Sequence, residues 1–261
     1  MRPDRFLVLL ATLALAASIA GAQEPAAASA AQTDRPTASP AARLLRIVAI
    51  GDSITQGGRA GTREYTYRWP LVRMLQDEGA CVAFVGSHDG GLDPLARWPA
   101  KWDSDNEGYY GATTGEVRDR LARTLPTFPA PDLALVHLGT NDTRSPFGSD
   151  TVEPLREIVA LLRVANPRVV VLLAEPRLGR WRAAFVVPRI RLLARALATP
   201  ASPVATVDHH SDWIADPARA DADTFDGVHP NLRGQRRMAE RWLLAMRPWL
   251  PPPPSGGCPA G

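Results

Sequence analysis

Five short apolar runs, each closed by a turn and followed by a helical stretch, constrain this chain more than any other feature. They are Ile47–Ile50, Cys81–Val85, Asp132–Leu138, Arg168–Ala174 and Val204–Val207. Short runs rich in β-branched residues, without polar alternation, suit strands buried on both faces. Between them, apolar residues recur at helical spacing. Leu71, Met74 and Leu75 follow Pro70, which suits a first turn, and Gly79 suits a stop. Thr114 is expected to cap a helix that buries Val117 and Leu121. Further helices are expected over Pro154–Val164, Ala183–Ala198 and Leu232–Met246, with Pro188 in the first turns of its helix or kinking it. Strands alternating with helices predict an α/β fold with three layers, α/β/α, around a parallel sheet of roughly five strands. No fixed-period repeat interrupts this pattern. Two stretches lie outside it, the Gly/Arg/Thr loop Gln56–Thr66 and the long Asp-, Gly- and Trp-rich segment His88–Tyr110. A long irregular segment within a compact domain is usually functional.

The length of 261 residues and the 45% hydrophobic content suffice for a large core, and the 22% charged fraction excludes wholesale disorder. A net charge of +3 lacks the concentrated basic stripe that nucleic acid needs; Arg233-Gly234-Gln235-Arg236-Arg237 reads as an outer helix face. No nucleic-acid partner is expected. Arg2 and Arg5, the apolar run Phe6–Ala20 and the small residues Ala20-Gly21-Ala22 read as an export signal over residues 1–22. The Ala/Pro-rich stretch 23–43 reads as a flexible linker, 44–249 as the folded domain and 250–261 as a Pro/Gly-rich tail. The protein is therefore expected to be secreted or periplasmic, without stable membrane association after cleavage. Cys81 falls in a predicted buried strand, where an unpaired cysteine acts as a small apolar residue. Pairing with Cys258, which would staple the tail, is the alternative in an oxidising compartment.

In a parallel sheet the carboxyl ends of all strands share one edge, so the turns that follow them converge however distant they are in sequence. Here those turns are Gly51-Asp52-Ser53, the loop Gly108–Gly115, Gly139-Thr140-Asn141-Asp142 and Asp226-Gly227-Val228-His229-Pro230-Asn231. Together they bring a hydroxyl, a glycine turn, a side-chain amide, a carboxylate and an imidazole to one crevice. Asp226 and His229, three residues apart before a helix, are spaced so that the carboxylate reaches Nδ1 while Nε2 faces the crevice. This set meets the needs of acyl transfer by a serine nucleophile: a base, a group that orients it, and donors for an oxyanion.

The four blocks together resemble the SGNH hydrolases, also called the GDSL-type lipase/esterase family, from Arg46 to about Trp249. The first block, Gly51-Asp52-Ser53-Ile54-Thr55, implies Ser53 as nucleophile. The third, Gly139-Thr140-Asn141-Asp142, implies Asn141 as an oxyanion donor, and the fifth, Asp226-Gly227-Val228-His229-Pro230, implies the acid Asp226 and the base His229. For the second block, Glu107-Gly108-Tyr109-Tyr110-Gly111-Ala112-Thr113-Thr114 is similar to the Glu-Gly-His-x-Gly-Trp-Thr pattern of carbohydrate-esterase relatives, with Tyr109 and Ala112 replacing His and Trp. That match implies the backbone N–H of Gly111 as a donor beside that of Ser53, with Gly108 the competing glycine. The resemblance implies an SGNH/flavodoxin-like fold and a chemistry that requires no metal or other cofactor.

Asp52 reads as a turn former rather than a second acid, Asp142 as a cap or anchor, and His137 as a satisfied core histidine. Asp208-His209-His210 lacks an obvious third metal ligand. Trp98, Trp102, Tyr109 and Tyr110 suit a sugar-stacking wall or simple packing. The polar, aromatic second loop and the absence of a strongly apolar loop favour an acetyl ester on a small molecule or polysaccharide over a long acyl chain. The alternatives are a lysophospholipase or thioesterase of the same family, and a non-catalytic carbohydrate-binding relative.

Overall fold

In a computed structural model of the protein, the described residues are 44–58, 66–93, 98, 101–145, 147–253 and 258. The predicted export signal and linker lie outside them. All described residues belong to the compact unit Ala41–Gly261. Its centre is strand β1 (Leu45–Gly51), in which Ile47 to Ile50 are completely buried. Alternate side chains enter two separate cores. Val48 and Ile50 join Val117, Leu121, Ile158 and Ile190 on one face, while Ile47 and Ala49 join Leu71, Leu75, Met238 and Trp242 on the other. The lack of polar alternation in the sequence follows from this: neither face meets water.

The remaining strands are β2 (Val82–Val85), β3 (Glu107–Gly108), β4 (Leu133–His137), β5 (Val170–Glu175) and β6 (Val204–Asp208), in the order β2-β1-β4-β5-β6. Every pairing is parallel. Helices α3 (Thr114–Thr124), α4 (Ser149–Ala165) and α5 (Arg180–Leu197) supply the first core, and α2 (Arg68–Asp77) and α6 (Leu232–Met246) the second. The three-layer α/β/α expectation is met.

The structure differs from the sequence reading at several points. The segment His88–Tyr110 is not wholly irregular. β4 occupies one edge of β1 along Ile47–Gly51, so β2 and β3 share the other, pairing with its start and its end respectively. The chain leaves the sheet after β2 and returns to the same edge as β3. His88 and Asn106 close the neck of this excursion, with the Asn106 N–H donating to the His88 carbonyl at 2.8 Å. A two-residue strand is too short to produce a periodic signal. Thr113, not Thr114, caps α3, because it and Glu116 form a reciprocal capping box. Pro154 lies within α4, which starts at Ser149, and Pro188 lies in the middle of α5.

Cys81 and Cys258 form a disulfide, so the expectation of an unpaired, merely apolar Cys81 is corrected. The pairing depends on where the tail returns, beside the start of β2, and no local pattern encodes that. Among the described residues, no helix is long and apolar enough to cross a membrane.

Candidate active site

The register of the sheet builds the site. Gly51, the last residue of β1, lies opposite Gly108 of β3 on one side and His137 of β4 on the other. The chain continuing from each strand therefore emerges side by side at the carboxyl edge. Gly51 permits this close approach, because a Cβ there would lie 2.7 Å from the His137 carbonyl oxygen and 2.1 Å from Thr55 Oγ1.

Ser53, expected in a strand-ending turn, begins α1 (Ser53–Gln56), a single helical turn. Asp52 caps it through Oδ1, which accepts the Ile54 N–H at 3.0 Å. Asp52 is thus the turn former expected. It is completely buried, and burial lifts its carboxyl to about 6 against the stabilising Ile54 N–H. Arg68, which the sequence reading passed over, holds the other end of this turn. It is completely buried and donates to the carbonyls of Thr55 (2.8 Å), Gln56 (3.1 Å), Gly90 (2.6 Å) and Ser104 (2.5 Å). It therefore ties the Ser53 turn to the β2–β3 excursion. Burial lowers its guanidinium to about 10, which leaves it charged at neutral pH. An arginine at the start of an amphipathic helix looks like surface, so nothing local marked this one.

The second block turns back on itself over Tyr109–Ala112, closed by the Ala112 N–H on the Tyr109 carbonyl at 3.0 Å. Gly111 has φ +74°, in the left-handed region that favours glycine. Gln56 Oε1 accepts the Tyr110 N–H at 2.7 Å, and Gly51 accepts the Tyr109 N–H at 2.9 Å, so this loop is fastened to β1 and α1. Asn141 donates from Nδ2 to the Ala112 carbonyl at 3.0 Å, which joins the third block to the second. Beneath it Asp142 is buried and accepts from Thr114 N (2.7 Å), Thr114 Oγ1 (2.5 Å) and Thr151 Oγ1 (2.7 Å), the anchoring role expected of it.

The last block completes the arrangement. Asp226 Oδ1 accepts the backbone N–H groups of Val228 (2.9 Å) and His229 (2.7 Å), and Oδ2 meets His229 Nδ1 at 2.7 Å. His229 Nε2 lies 2.9 Å from Ser53 Oγ. Partial burial works against the Asp226 charge, but the His229 ring and these N–H donors outweigh it and hold the carboxyl below the usual range. Arg177, which follows β5, donates to the Gly227 carbonyl at 3.0 Å and supports the turn between the two. The five residues singled out from the sequence thus sit on four adjoining loops, with Ser53, His229 and Asp226 in one hydrogen-bonded line. Such a line, with a glycine turn and an amide beside it, is equipped for nucleophilic attack on a carbonyl.

The other residues sort differently. Trp98 and Trp102 pack edge to face at 5.2 Å, and Trp102 lies under the Arg68 guanidinium, so they belong to the packing of the excursion. Tyr109 donates to Glu107 at 2.6 Å and packs on His88. Of the four aromatics considered as a sugar wall, only Tyr110 flanks the site, its ring nearly parallel to that of His229. Phe225, which the sequence reading missed, lies likewise near-parallel to His229. His137 is the buried core histidine expected, its ring set against those of Tyr67 and His209. Asp208 accepts the backbone N–H groups of His210 and Ser211, both at 2.8 Å, while His209 is buried against Trp242. Among the described residues, no three His, Cys, Asp or Glu side chains form a metal-binding cluster.

This sheet defines a three-layer α/β protein with a Ser-His-Asp line at its carboxyl edge, and comparison with known proteins gives its family. Residues 49–237 match the GDSL-like Lipase/Acylhydrolase family, so the chain belongs to that family. It is 30% identical over 240 residues to a multidomain esterase of Ruminococcus flavefaciens, an alignment covering 82% of this chain and 30% of that protein. In fold it is similar to a carbohydrate esterase family 3 protein from Talaromyces cellulolyticus, with TM-score 0.64 and 24% identity over 78% of this chain and 97% of the other. A family 3 carbohydrate esterase from Clostridium thermocellum gives TM-score 0.63 at 23% identity, covering 79% and 96%. A lipase/acylhydrolase from Enterococcus faecalis gives TM-score 0.54 at 20% identity, covering 80% and 98%.

Proposed function

We propose that this protein is an exported serine esterase that removes acetyl groups from carbohydrate. The observation that carries the reading is the line from Asp226 through His229 to Ser53 at the sheet edge where Gly111 and Asn141 also emerge. Ser53 Oγ attacks the ester carbonyl as His229 Nε2 takes its proton. Negative charge collects on the carbonyl oxygen and is received by the N–H groups of Ser53 and Gly111 and by the Asn141 amide. Asn141 Nδ2 carries two hydrogens, and the Ala112 carbonyl engages one, which orients the amide while leaving the other for the oxyanion. The C–O bond to the alcohol then breaks, and Nε2 returns the proton to that oxygen. Water, deprotonated by the same nitrogen, attacks the acyl-enzyme and releases acetate. Asp226 accepts the Nδ1–H throughout, keeping the imidazole in the tautomer that presents a bare Nε2 to Ser53.

The acetyl and carbohydrate parts of the reading draw support from the second block, Glu107–Thr114, and from two neighbours named family 3 carbohydrate esterases, whose TM-scores exceed that of the Enterococcus faecalis lipase/acylhydrolase. The disulfide accords with an oxidising compartment and hence with export. The test is acetate release from acetylated xylan, with acetyl, butyryl and octanoyl esters of one alcohol compared in parallel and Ser53→Ala as control. Preference for acetyl, abolished in Ser53→Ala, is the expected result. A rate that rises with acyl length overturns the substrate reading, and full activity of Ser53→Ala overturns the mechanism.

A further inference from the structure

The proton that His229 takes from Ser53 is returned to the leaving alcohol, so that alcohol oxygen must come within hydrogen-bond reach, about 3 Å, of Nε2. The carbons attached to it then lie against whatever surrounds the imidazole. Two aromatic rings do. The Tyr110 ring centroid is 5.8 Å from that of His229 with 18° between planes, and the Phe225 centroid is also 5.8 Å away with 16° between planes. The two aromatic rings therefore lie roughly parallel to the imidazole whose Nε2 protonates the leaving alcohol. Phe225 is 41% exposed, so part of its ring is open to a ligand.

The backbones that carry both rings are fastened to the site. Phe225 N–H donates to the His229 carbonyl at 3.1 Å, and Thr224 bridges to Pro230, so the Phe225 backbone is tied to the same turn that carries the imidazole. Tyr110 N–H is held by Gln56 Oε1 of α1, and the next residue is Gly111. Aromatic faces aligned with the imidazole favour a ligand that is itself flat and rigid, because little of the ligand's freedom is then lost on binding. A pyranose has that shape: one face of C–H bonds to lie on a ring, with hydroxyls around its rim for water. A flexible alkyl or glycerol alcohol has no such face.

We propose that Phe225 and Tyr110 form the leaving-group subsite and that its occupant is the pyranose bearing the ester. The proposal rests on the acetylesterase reading above and adds to it the residues that select the alcohol. Neither residue handles a proton; they determine specificity through the alcohol alone.

The experiment compares two acetyl esters that differ only in the alcohol, ethyl acetate and a mono-acetylated methyl β-xyloside, in the full-length protein and in Phe225→Ala and Phe225→Leu. The quantity read is the ratio of kcat/KM for the xyloside to that for ethyl acetate, which does not depend on what fraction of a variant is folded. Loss of one stacked face is expected to lower the ratio about tenfold in Phe225→Ala. Leucine restores bulk without a flat face, so Phe225→Leu is expected to recover only part of it. A ratio within twofold of the parent in both variants overturns the subsite. If the parent hydrolyses both esters and only the variant ratios fail to move, the acetylesterase reading stands without the subsite. If the parent hydrolyses neither, that reading falls and the subsite with it.

Discussion

Replacing His137 by leucine should remove about one proton's worth of acid sensitivity from the fold. The imidazole is fully buried at the end of β4, where desolvation pushes it down from an ordinary 6.5 to about 4. In the unfolded chain it gains a proton near pH 6.5, whereas in the native state it stays neutral until pH 4. The unfolded state therefore binds more protons throughout that window, and stability contributed by keeping His137 neutral is lost as pH falls through it. Between pH 7 and pH 5 the drop from a folded value of about 4 comes to about 2 kcal/mol. His209, whose ring lies 5.6 Å from that of His137, is also driven well below 6.5 by burial and adds loss in the same direction. Asp52 acts oppositely: raised to about 6, its buried carboxyl takes up a proton in the native state first and so recovers stability as pH falls below that value. Comparison of the parent with His137→Leu removes the first contribution, together with the smaller part of the His209 shift that His137 causes. Urea unfolding with the disulfide intact, at pH 7 and at pH 5, measures it. The variant should lose about 2 kcal/mol less than the parent between the two pH values, whatever its stability at pH 7. Equal losses would show that the buried imidazole is not held neutral, and would refute the argument.

Two further outcomes follow from the site. Asn141→Ala should lower kcat by about 10²–10³, with thermal unfolding shifted far less than in a core variant; a kcat within threefold of the parent would remove its amide from the oxyanion. Arg68→Lys offers one compact ammonium to four carbonyls and should destabilise the protein by about 3 kcal/mol in urea unfolding, with a fall in kcat because the Ser53 turn is no longer tied to the excursion. Unchanged stability would mean that water serves those carbonyls as well as the guanidinium does.

Much of this protein was legible in its order of residues. The apolar runs marked the five long strands because burial on both faces leaves a strand no polar positions, and alternation with helices forced the pairing to be parallel. Parallel pairing in turn places every strand-end turn on one edge, which gathered the Ser53 turn, the Gly108–Gly115 loop, the Asn141 turn and the Asp226–His229 pair; the choice of Gly111 over Gly108 came from the family resemblance of the second block. Asp226 and His229 were the most secure of these, because three residues of chain on one turn bring carboxylate and imidazole together locally. What the sequence left open depends on contacts between distant segments. β3 pairs over two residues only, and exists because the excursion returns to the edge that β2 vacates. Cys81 reads as an apolar strand residue until the tail is folded back onto it. Arg68 looks like surface until the excursion closes over it, and Phe225 looks like loop filler until the turn that carries it brings His229 to Ser53. Local pattern fixes what each segment becomes, because propensity and periodicity act within a few residues. Which faces meet across segments, and so which side chains surround the reacting atoms, is decided only by packing of the whole chain.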